Sequence, residues 1–194
     1  MTDSGPSVGP AVSVHVRELP AISTVALTAR GPYWKLSGPL GRLRKWLQDA
    51  EIRPIGPPLG IFHDDPARVP PEETRYTLCY PLDAAGVTRA ERQLAAGAGT
   101  RQPDAPAPEP QRDGDLFELM EFPATYAATA EYRGPAADSA AVYAHLERWM
   151  EDRGYAAAGP PREMYLAEPG TLGKGAMHAE VQQPLVRPPA AAAR

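Results

Sequence analysis

One acidic residue of this chain, Glu163, stands where apolar residues would be expected. Its neighbours continue an alternating pattern that predicts a β-strand over residues 162–166. Burying an unpaired carboxylate is costly, so Glu163 needs a partner or a raised pKa. A ligand that is cationic or donates hydrogen bonds is one such partner. The alternatives are a salt bridge to Arg162 or Arg133, or exposure of Glu163 at the mouth of a cleft.

Aromatic side chains are frequent in the segments that would surround this carboxylate. Flat aromatic walls and an acidic anchor suit planar, lipophilic cations through stacking and cation–π attraction. Any single one of these aromatic residues could instead belong to the core. The predicted ligand-binding set is Glu163, Tyr165, Phe62, Gly60, Tyr33, Trp34 and Tyr132.

The other reactive residues give weaker signals. His63-Asp64-Asp65 could suggest a metal site, but no second cluster has ligand spacing and the following Pro66 favours a turn. Cys79 has no activating histidine near it in the sequence and is expected to be a small buried residue. The sequence contains no P-loop, dinucleotide-binding or nucleophile-elbow motif. We therefore expect no metal and no cofactor, and enzymatic activity is left open.

The composition argues against several function classes. The 194 residues carry a formal net charge of −4 and no block of Lys or Arg, so direct nucleic-acid binding is not expected. No apolar run approaches the roughly 18–20 residues of a membrane span, and the N-terminus lacks the features of a signal peptide. The single cysteine permits no internal disulfide and suits a reducing compartment. We expect a soluble, cytoplasmic protein.

The elements that must position the candidate site are present twice. Residues 18–82 return as residues 121–185 without a gap, 103 positions later, and 15 of the 65 aligned residues are identical. A period this long indicates two tandem copies of one supersecondary unit. Two such units usually pack about a pseudo-two-fold axis, and the seam between them is a natural place for a ligand.

Each copy has the pattern of strands around one amphipathic helix. In the first copy the apolar stripe of the helix is Leu40, Leu43, Trp46 and Leu47. Trp46 and its equivalent Trp149 are expected to be core residues. The predicted fold class is α+β, with two pseudo-symmetric β-α-β-β repeats and a mostly antiparallel sheet around a central ligand cleft. We expect a helix to cover one sheet face and the opposite faces to enclose the cleft.

Proline and glycine divide the chain, with 24 and 17 residues respectively. An Ala-Pro-rich stretch between the copies favours extended conformations and predicts a plain spacer rather than a partner-binding segment. The predicted organisation is a disordered N-terminus (1–11), a first repeat (12–85), a Pro/Ala-rich linker (86–115), a second repeat (116–187) and a disordered tail (188–194).

The copies differ most informatively in the strand that follows Gly-Pro-Pro. Gly60 of the first copy aligns with Glu163 of the second. Strand alternation places the next pair, Ile61 and Met164, in the helix-packed core. Gly60, Glu163 and the aromatic residues two positions further on would then face the cleft. This broken symmetry marks Glu163 as the expected anchor.

These motifs resemble the GyrI-like family, which includes effector-binding domains fused to MerR- and AraC-type transcription regulators. The similarity rests on residues 29–33, 56–66 and 162–166 and extends over about residues 12–187. It implies pseudo-symmetric repeats around a cleft that binds small molecules, often aromatic cationic drugs, with Glu163 as the acidic pocket residue. The DNA-binding helices of the fused regulators have no counterpart, so the resemblance implies a stand-alone binder that could sequester a drug and confer resistance.

Two alternatives follow from the same resemblance. A branch of the family consists of hydrolases that open the strained cyclopropane of DNA-alkylating antibiotics. In that case Glu163 would be the general acid/base, and a tyrosine such as Tyr165 or Tyr132 would orient water or substrate. The other alternative is an inhibitor or regulator that acts through a protein partner.

Overall fold

A computed structural model describes residues 12–97, 116–173 and 175–186. The strands are β1 (Val14–Leu19), β2 (Ile22–Arg30), β3 (Leu59–Phe62), β4 (Arg75–Leu82), β5 (Leu116–Phe122), β6 (Thr125–Pro135), β7 (Arg162–Ala167) and β8 (Ala176–Pro184). The helices are α1 (Ser37–Asp49), α2 (Ala84–Gly97) and α3 (Ser139–Glu151), and α3 is preceded by a 3₁₀ turn (Ala136–Asp138). The predicted disordered ends and residues 98–115 of the predicted linker lie outside the described residues.

The eight strands form one antiparallel sheet in the order β1-β6-β8-β7-β3-β4-β2-β5. This order is symmetric about the junction of β7 with β3, where the two repeats meet. The first strand of each repeat is exchanged, because β1 pairs with β6 and β5 pairs with β2. The predicted α+β class and antiparallel sheet are confirmed. The exchange of first strands was not predicted from the sequence.

The helices and the main core lie on one side of the sheet, which we call the helix face. There α1 buries Leu40, Leu43 and Leu47, and α3 buries Val142, Leu146 and Met150. Both sets follow the 3–4 residue spacing of an amphipathic helix. The expectation that the helix-free faces of the two repeats would meet across a cleft is wrong, because the strands of both repeats belong to a single sheet.

Alternation along the two central strands decides which side chains meet the helices. The helix face carries Gly60, Phe62, Glu163 and Tyr165, whereas the opposite, helix-free face carries Leu59, Ile61, Arg162 and Met164. The predicted placement of Ile61 and Met164 in the helix-packed core is therefore wrong. The two-residue period of a strand correctly predicts which residues share a face. It does not identify the face that the helices cover, because central strands carry apolar residues on both faces.

The helix-free face is strongly curved. Arg162 of β7 lies over the ring of Phe122, at the far end of β5, with 5.1 Å between the guanidinium carbon and the ring centre. Four strand-to-strand steps separate β7 from β5, so the twisted sheet must coil to bring these residues together. The coil encloses a small second core formed by Ala26, Leu59 and Cys79. The expectation that Cys79 is buried is confirmed.

The repeated tryptophans pack at the edges of the two helix-face cores. Trp46 stacks on Phe117 of β5 with ring centres 5.2 Å apart, so it fastens the exchanged strand to the first repeat. Trp149 stacks on Tyr155 at 5.6 Å and supports the guanidinium of Arg153. Both contribute to packing rather than to the site.

Helix α2 follows β4 directly and packs against the first-repeat core through Ala90, which is fully buried. The linker prediction does not hold for residues 86–97, because their small apolar residues form this helix. Of the helices that the structure describes, none combines the length and the apolar character needed to cross a membrane.

Candidate functional site

Glu163 lies at the junction of the two repeats, directly opposite Gly60 in the antiparallel pairing of β7 with β3. Its side chain points to the helix face and the residue is only 5% exposed. The two residues that differ between the copies thus lie side by side in neighbouring strands. The acidic group is therefore buried where the repeats meet, not exposed at the mouth of a cleft.

The hydrogen-bond partner of the Glu163 carboxylate is Tyr143, on the first turns of α3. The Tyr143 hydroxyl donates to Glu163 Oε1 over 2.8 Å. Burial raises the pKa of Glu163, while the hydrogen bond from Tyr143 and the nearby hydroxyl of Tyr165 oppose the rise. Burial and the adjacent carboxylate raise the pKa of Tyr143 well above its ordinary value, so the phenol stays protonated as a donor.

No cation neutralises Glu163 among the described residues. Arg162 points to the helix-free face and donates to Gln182 instead. Arg133 lies on β6 and lines a surface depression with Glu131 and Glu180. Both salt-bridge alternatives are therefore wrong, and the buried carboxylate keeps only neutral hydrogen-bond donors.

The hydroxyl of Tyr165 is a buried polar group without a hydrogen-bond partner in the described residues. Tyr165 is 3% exposed, and its hydroxyl lies near the Glu163 carboxylate without the geometry of a hydrogen bond to it. Burial and the charge of Glu163 raise the pKa of this phenol well above its ordinary value. A buried unsatisfied donor is uncommon and often marks a functional position.

Gly60 provides the space that the Tyr165 ring occupies. A Cβ atom at position 60 would lie 2.9 Å from the Tyr165 hydroxyl oxygen and 3.4 Å from the ring of Phe62. The 2.9 Å contact is too short for a Cβ atom, so the Tyr165 ring would have to move. The glycine is thus part of the site because it has no side chain.

A wall of aromatic rings borders the site on the side of the first repeat. Tyr33 contacts Phe62 edge-on with ring centres 4.6 Å apart, and Tyr76 at 6.0 Å. The Tyr33 hydroxyl donates to the carbonyl oxygen of Asp64 over 2.9 Å and accepts from its N–H over 3.1 Å. These hydrogen bonds fix the Tyr33 ring close to the acidic cluster, by which we mean Glu163 and the tyrosines around it.

The His63-Asp64-Asp65 segment acts as the turn that holds this wall. Asp64 accepts hydrogen bonds from the backbone N–H, Nε and Nη2 of Arg75, over 2.7, 3.0 and 2.8 Å. Hydrogen bonding from Arg75 lowers the pKa of Asp64. His63 Nε2 pairs with Thr77 on the helix-free face, so the adjacent side chains diverge.

Two predicted residues are not brought to the carboxylate. Trp34 is 71% exposed. Tyr132 belongs to the second-repeat core, and its hydroxyl donates to the carbonyl oxygen of Pro135 over 2.8 Å. The site joins Glu163 to the remaining predicted residues Tyr165, Phe62, Gly60 and Tyr33.

Tyr143 was not predicted as a site residue, because its helical spacing assigns it to the apolar stripe of the second helix. The signal was present, since Tyr143 aligns with Leu40 of the first repeat. A hydroxyl in one copy of an otherwise apolar position is the same kind of mismatch as Gly60 against Glu163.

A hydrogen bond and an ion pair that join the two repeats, which we call the clasp, lie at one side of the junction. Glu168, just after β7, accepts a hydrogen bond from the Tyr80 hydroxyl over 2.6 Å and pairs with Arg44 of α1. Burial and this hydrogen bond raise the pKa of Tyr80 to about 12. The equivalents of Arg44 and Glu168 are Glu147 and Asp65, which are both acidic. The clasp therefore has no matching pair in the other half.

Fold and site define a duplicated α+β domain whose repeats bury an acidic, aromatic cluster at their junction. The chain belongs to the family of GyrI-like small molecule binding domains, whose model matches residues 13–185. The family resemblance drawn from the sequence is confirmed. No curated protein sequence matches the chain.

Solved structures share this fold. The C-terminal domain of EcmrR is 18% identical, with a TM-score of 0.61 over 92% of this chain and 99% of that domain. Against EcmrR in its DNA complex, this chain spans 58% of the EcmrR chain. A hydrolase from Listeria innocua is 14% identical, with a TM-score of 0.58 over 92% of this chain and 94% of its own. SAV2435 bound to tetraphenylphosphonium is 10% identical, with a TM-score of 0.51 over 90% of this chain and 94% of its own.

Proposed function

We propose that the protein binds planar or multi-ring lipophilic cations at the junction of its repeats, with Glu163 as the charge anchor. The observation that carries this proposal is a buried carboxylate that has a tyrosine donor but no cation among the described residues. Isolated buried charges are costly, and a ligand cation supplies the missing partner. Drug binding or sequestration in the cytoplasm would be the corresponding biological role.

The aromatic residues suit the same class of ligand. Tyr33, Phe62 and Tyr165 offer ring faces and edges around the carboxylate, and a desolvated cation gains about 2 kcal/mol from such a ring. Because Glu163 is 5% exposed, a ligand must displace side chains to reach it. Tyr143, whose hydroxyl donates to the carboxylate, is the side chain that would move. The tetraphenylphosphonium bound by SAV2435 is a multi-ring cation, which makes it the first compound to test.

Binding should strengthen as the pH rises. Burial raises the pKa of Glu163, so part of the free protein carries a neutral acid near that pKa. A cation binds the ionised form better, and must therefore drive out the proton at low pH. Above the pKa of the free protein this cost disappears.

The test is calorimetric titration of tetraphenylphosphonium into the wild type and Glu163→Gln. We expect micromolar affinity and a loss of about 10- to 100-fold in the variant, which corresponds to about 1.4–2.8 kcal/mol. Neutral triphenylphosphine oxide should lose less than about threefold, because it has no charge to pair. Glu121→Gln, at an exposed acid of β5, is the matched control. Equal weakening of the cation and the neutral compound would reject Glu163 as the charge anchor.

A second candidate function is hydrolysis of a strained-ring electrophile, favoured by the unpartnered Tyr165 hydroxyl beside Glu163. These groups could hold a water molecule. Glu163 would take a proton from the water as its oxygen bonds to a cyclopropane carbon. The breaking C–C bond would pass its electron pair into a conjugated carbonyl, which is then protonated. The structural likeness to a hydrolase from Listeria innocua is compatible with this candidate.

Mass spectrometry of a cyclopropane-containing alkylator incubated with the protein distinguishes the two functions. Hydrolysis gives a product heavier by one water, at a rate that Glu163→Gln abolishes. A rate no faster than the protein-free background would leave binding as the function.

A further inference from the structure

Arg162 is a buried cation that makes no ion pair within the described part of the chain, and the carboxylate of Glu180 acts on its charge only at longer range. The residue is 4% exposed and lies on the helix-free face. Its Nε donates to Gln182 Oε1 over 2.7 Å, and its guanidinium lies over the ring of Phe122. No acceptor for its two Nη groups is found among the described residues. Among the described residues only the Tyr165 hydroxyl is a fully enclosed side-chain atom without a partner, so the Nη edge of Arg162 is not fully enclosed and can meet an acceptor from outside the chain.

The scaffold does not require a charge at this position. The equivalent residue of the first repeat is Leu59, which packs in the small core with Cys79. Cys79 is in turn the equivalent of Gln182, the partner of Arg162. The same backbone thus folds around an apolar pair in one repeat and a polar pair in the other. The polar pair is an addition in the second repeat.

A chain of side-chain contacts fixes the orientation of this guanidinium. Gln182 Nε2 donates to Glu180 Oε1 over 2.6 Å, and Glu180 accepts a hydrogen bond from Arg17 of β1 over 2.7 Å. Gln182 is therefore held with its carbonyl oxygen toward Arg162. The Phe122 ring supports the guanidinium plane from one side. Together these contacts immobilise Nε and leave the Nη edge without an acceptor among the residues that the structure describes.

We propose that Arg162 anchors a second binding site, on the helix-free face, for a carboxylate carried by an apolar or aromatic group. A guanidinium edge with two free N–H groups matches the two oxygens of a carboxylate. Ile61, Met164 and Phe122 provide apolar surroundings on the same face. The site is separate from the cationic site, because Arg162 and Glu163 are successive residues of one strand and face opposite sides.

The experiment measures thermal unfolding of the full chain with sodium benzoate as the probe. Sodium salts of a bulky sulfonate keep the ionic strength constant, which removes general screening. We expect a saturable rise in melting temperature, of about 2–4 °C when benzoate is near five times its Kd. Arg162→Leu, which installs the residue of the first repeat, should abolish the rise. Arg133→Met, at an exposed arginine of the same face, should retain it.

Two outcomes would overturn the proposal. One is a wild-type shift no larger with benzoate than with the sulfonate, and the other is a benzoate shift that persists in Arg162→Leu. If Arg162→Leu does not fold, Arg162→Lys provides the comparison. The lysine variant keeps the positive charge but cannot make the bidentate contact with a carboxylate, so the benzoate Kd should rise at least about tenfold. An unchanged Kd would then reject the site. Glu163→Gln should leave benzoate binding intact.

Discussion

The junction of the repeats is lined by equivalent residues whose chemistry differs between the two copies. At three such positions the first repeat contributes apolar residues, Leu40, Gly60 and Phe62. The second repeat contributes two hydroxyls and a carboxylate, from Tyr143, Glu163 and Tyr165. Positions that build the fold, such as Leu43 and Leu146, are the same in both copies. The difference shows that the scaffold and the site can vary separately within one duplicated unit.

The asymmetry has a physical reason. Two carboxylates facing each other at the junction would repel, and in a buried setting both could not ionise. Gly60 opposite Glu163 leaves one charge and the space for one aromatic ring. One copy therefore provides the polar groups, and the other provides room and apolar walls.

Truncating equivalent core side chains in the two repeats should produce the largest losses of stability. Leu43→Ala and Leu146→Ala remove equivalent helix side chains that are at most 2% exposed. Each should lower the free energy of unfolding by about 2–5 kcal/mol, because a cavity remains in a packed core. Urea denaturation of the two variants measures this. A cost below about 1 kcal/mol for one of them would show that the repeats do not share the scaffold role.

Adding a side chain at Gly60 should have the next largest effect on stability. Gly60→Ala places a methyl group 2.9 Å from the Tyr165 hydroxyl and should cost about 1–3 kcal/mol of stability. Adding Tyr165→Phe, which copies Phe62, removes the closest atom and should recover part of that cost. A double-mutant cycle should show a coupling of at least about 0.5 kcal/mol. Strict additivity would mean that Gly60 does not serve to accommodate Tyr165.

The fold was largely accessible from the sequence because the duplication repeats its signals. The gapless 103-residue period identified the unit, and helical spacing identified the buried stripes of α1 and α3. The exchange of β1 and β5 was not accessible, because local alternation does not specify which strand is the neighbour. Helix α2 was missed because its small residues and threonine give a weak helical pattern next to a proline-rich stretch.

The site was accessible only in part. The mismatch of Gly60 with Glu163 singled out two residues that lie directly opposite each other at the junction of the repeats. The same comparison applied to Leu40 and Tyr143 would have supplied the missing donor. Trp34 could not be assessed from composition, since an aromatic residue after a turn can point to solvent as easily as to a cleft.

The pH dependence of stability should separate Glu163 from an ordinary surface acid. Its folded-state pKa is raised above its usual value of 4.5, chiefly by burial. Folding is therefore favoured while the group is protonated, and this stability is lost as the pH rises from 4.5 through the folded-state pKa. Relative to Glu163→Gln, the wild type should lose up to about 1.4 kcal/mol per pH unit in that window.

Denaturation of both proteins across this pH range tests that expectation, with Glu121→Gln as the control for an exposed acid. Tyr143→Phe removes the donor that stabilises the carboxylate, so the window should extend to higher pH. A stability difference between the wild type and Glu163→Gln that is constant with pH would contradict a raised pKa.

Loss of the clasp should have the smallest effect on stability, because its ion pair is partly exposed. Glu168→Gln keeps an acceptor for Tyr80 but removes the charge that pairs with Arg44. The expected cost is about 0.2–1 kcal/mol and should shrink in high salt. Asp65→Asn is the matched variant, since Asp65 is the equivalent acid and pairs only within its own turn, with Arg68. Hydrogen exchange at the β3–β7 backbone amides should rise in Glu168→Gln but not in Asp65→Asn. An equal rise in hydrogen exchange at these amides in both variants would show that the clasp does not hold the repeats together. The asymmetry of the junction would then be confined to its acidic cluster.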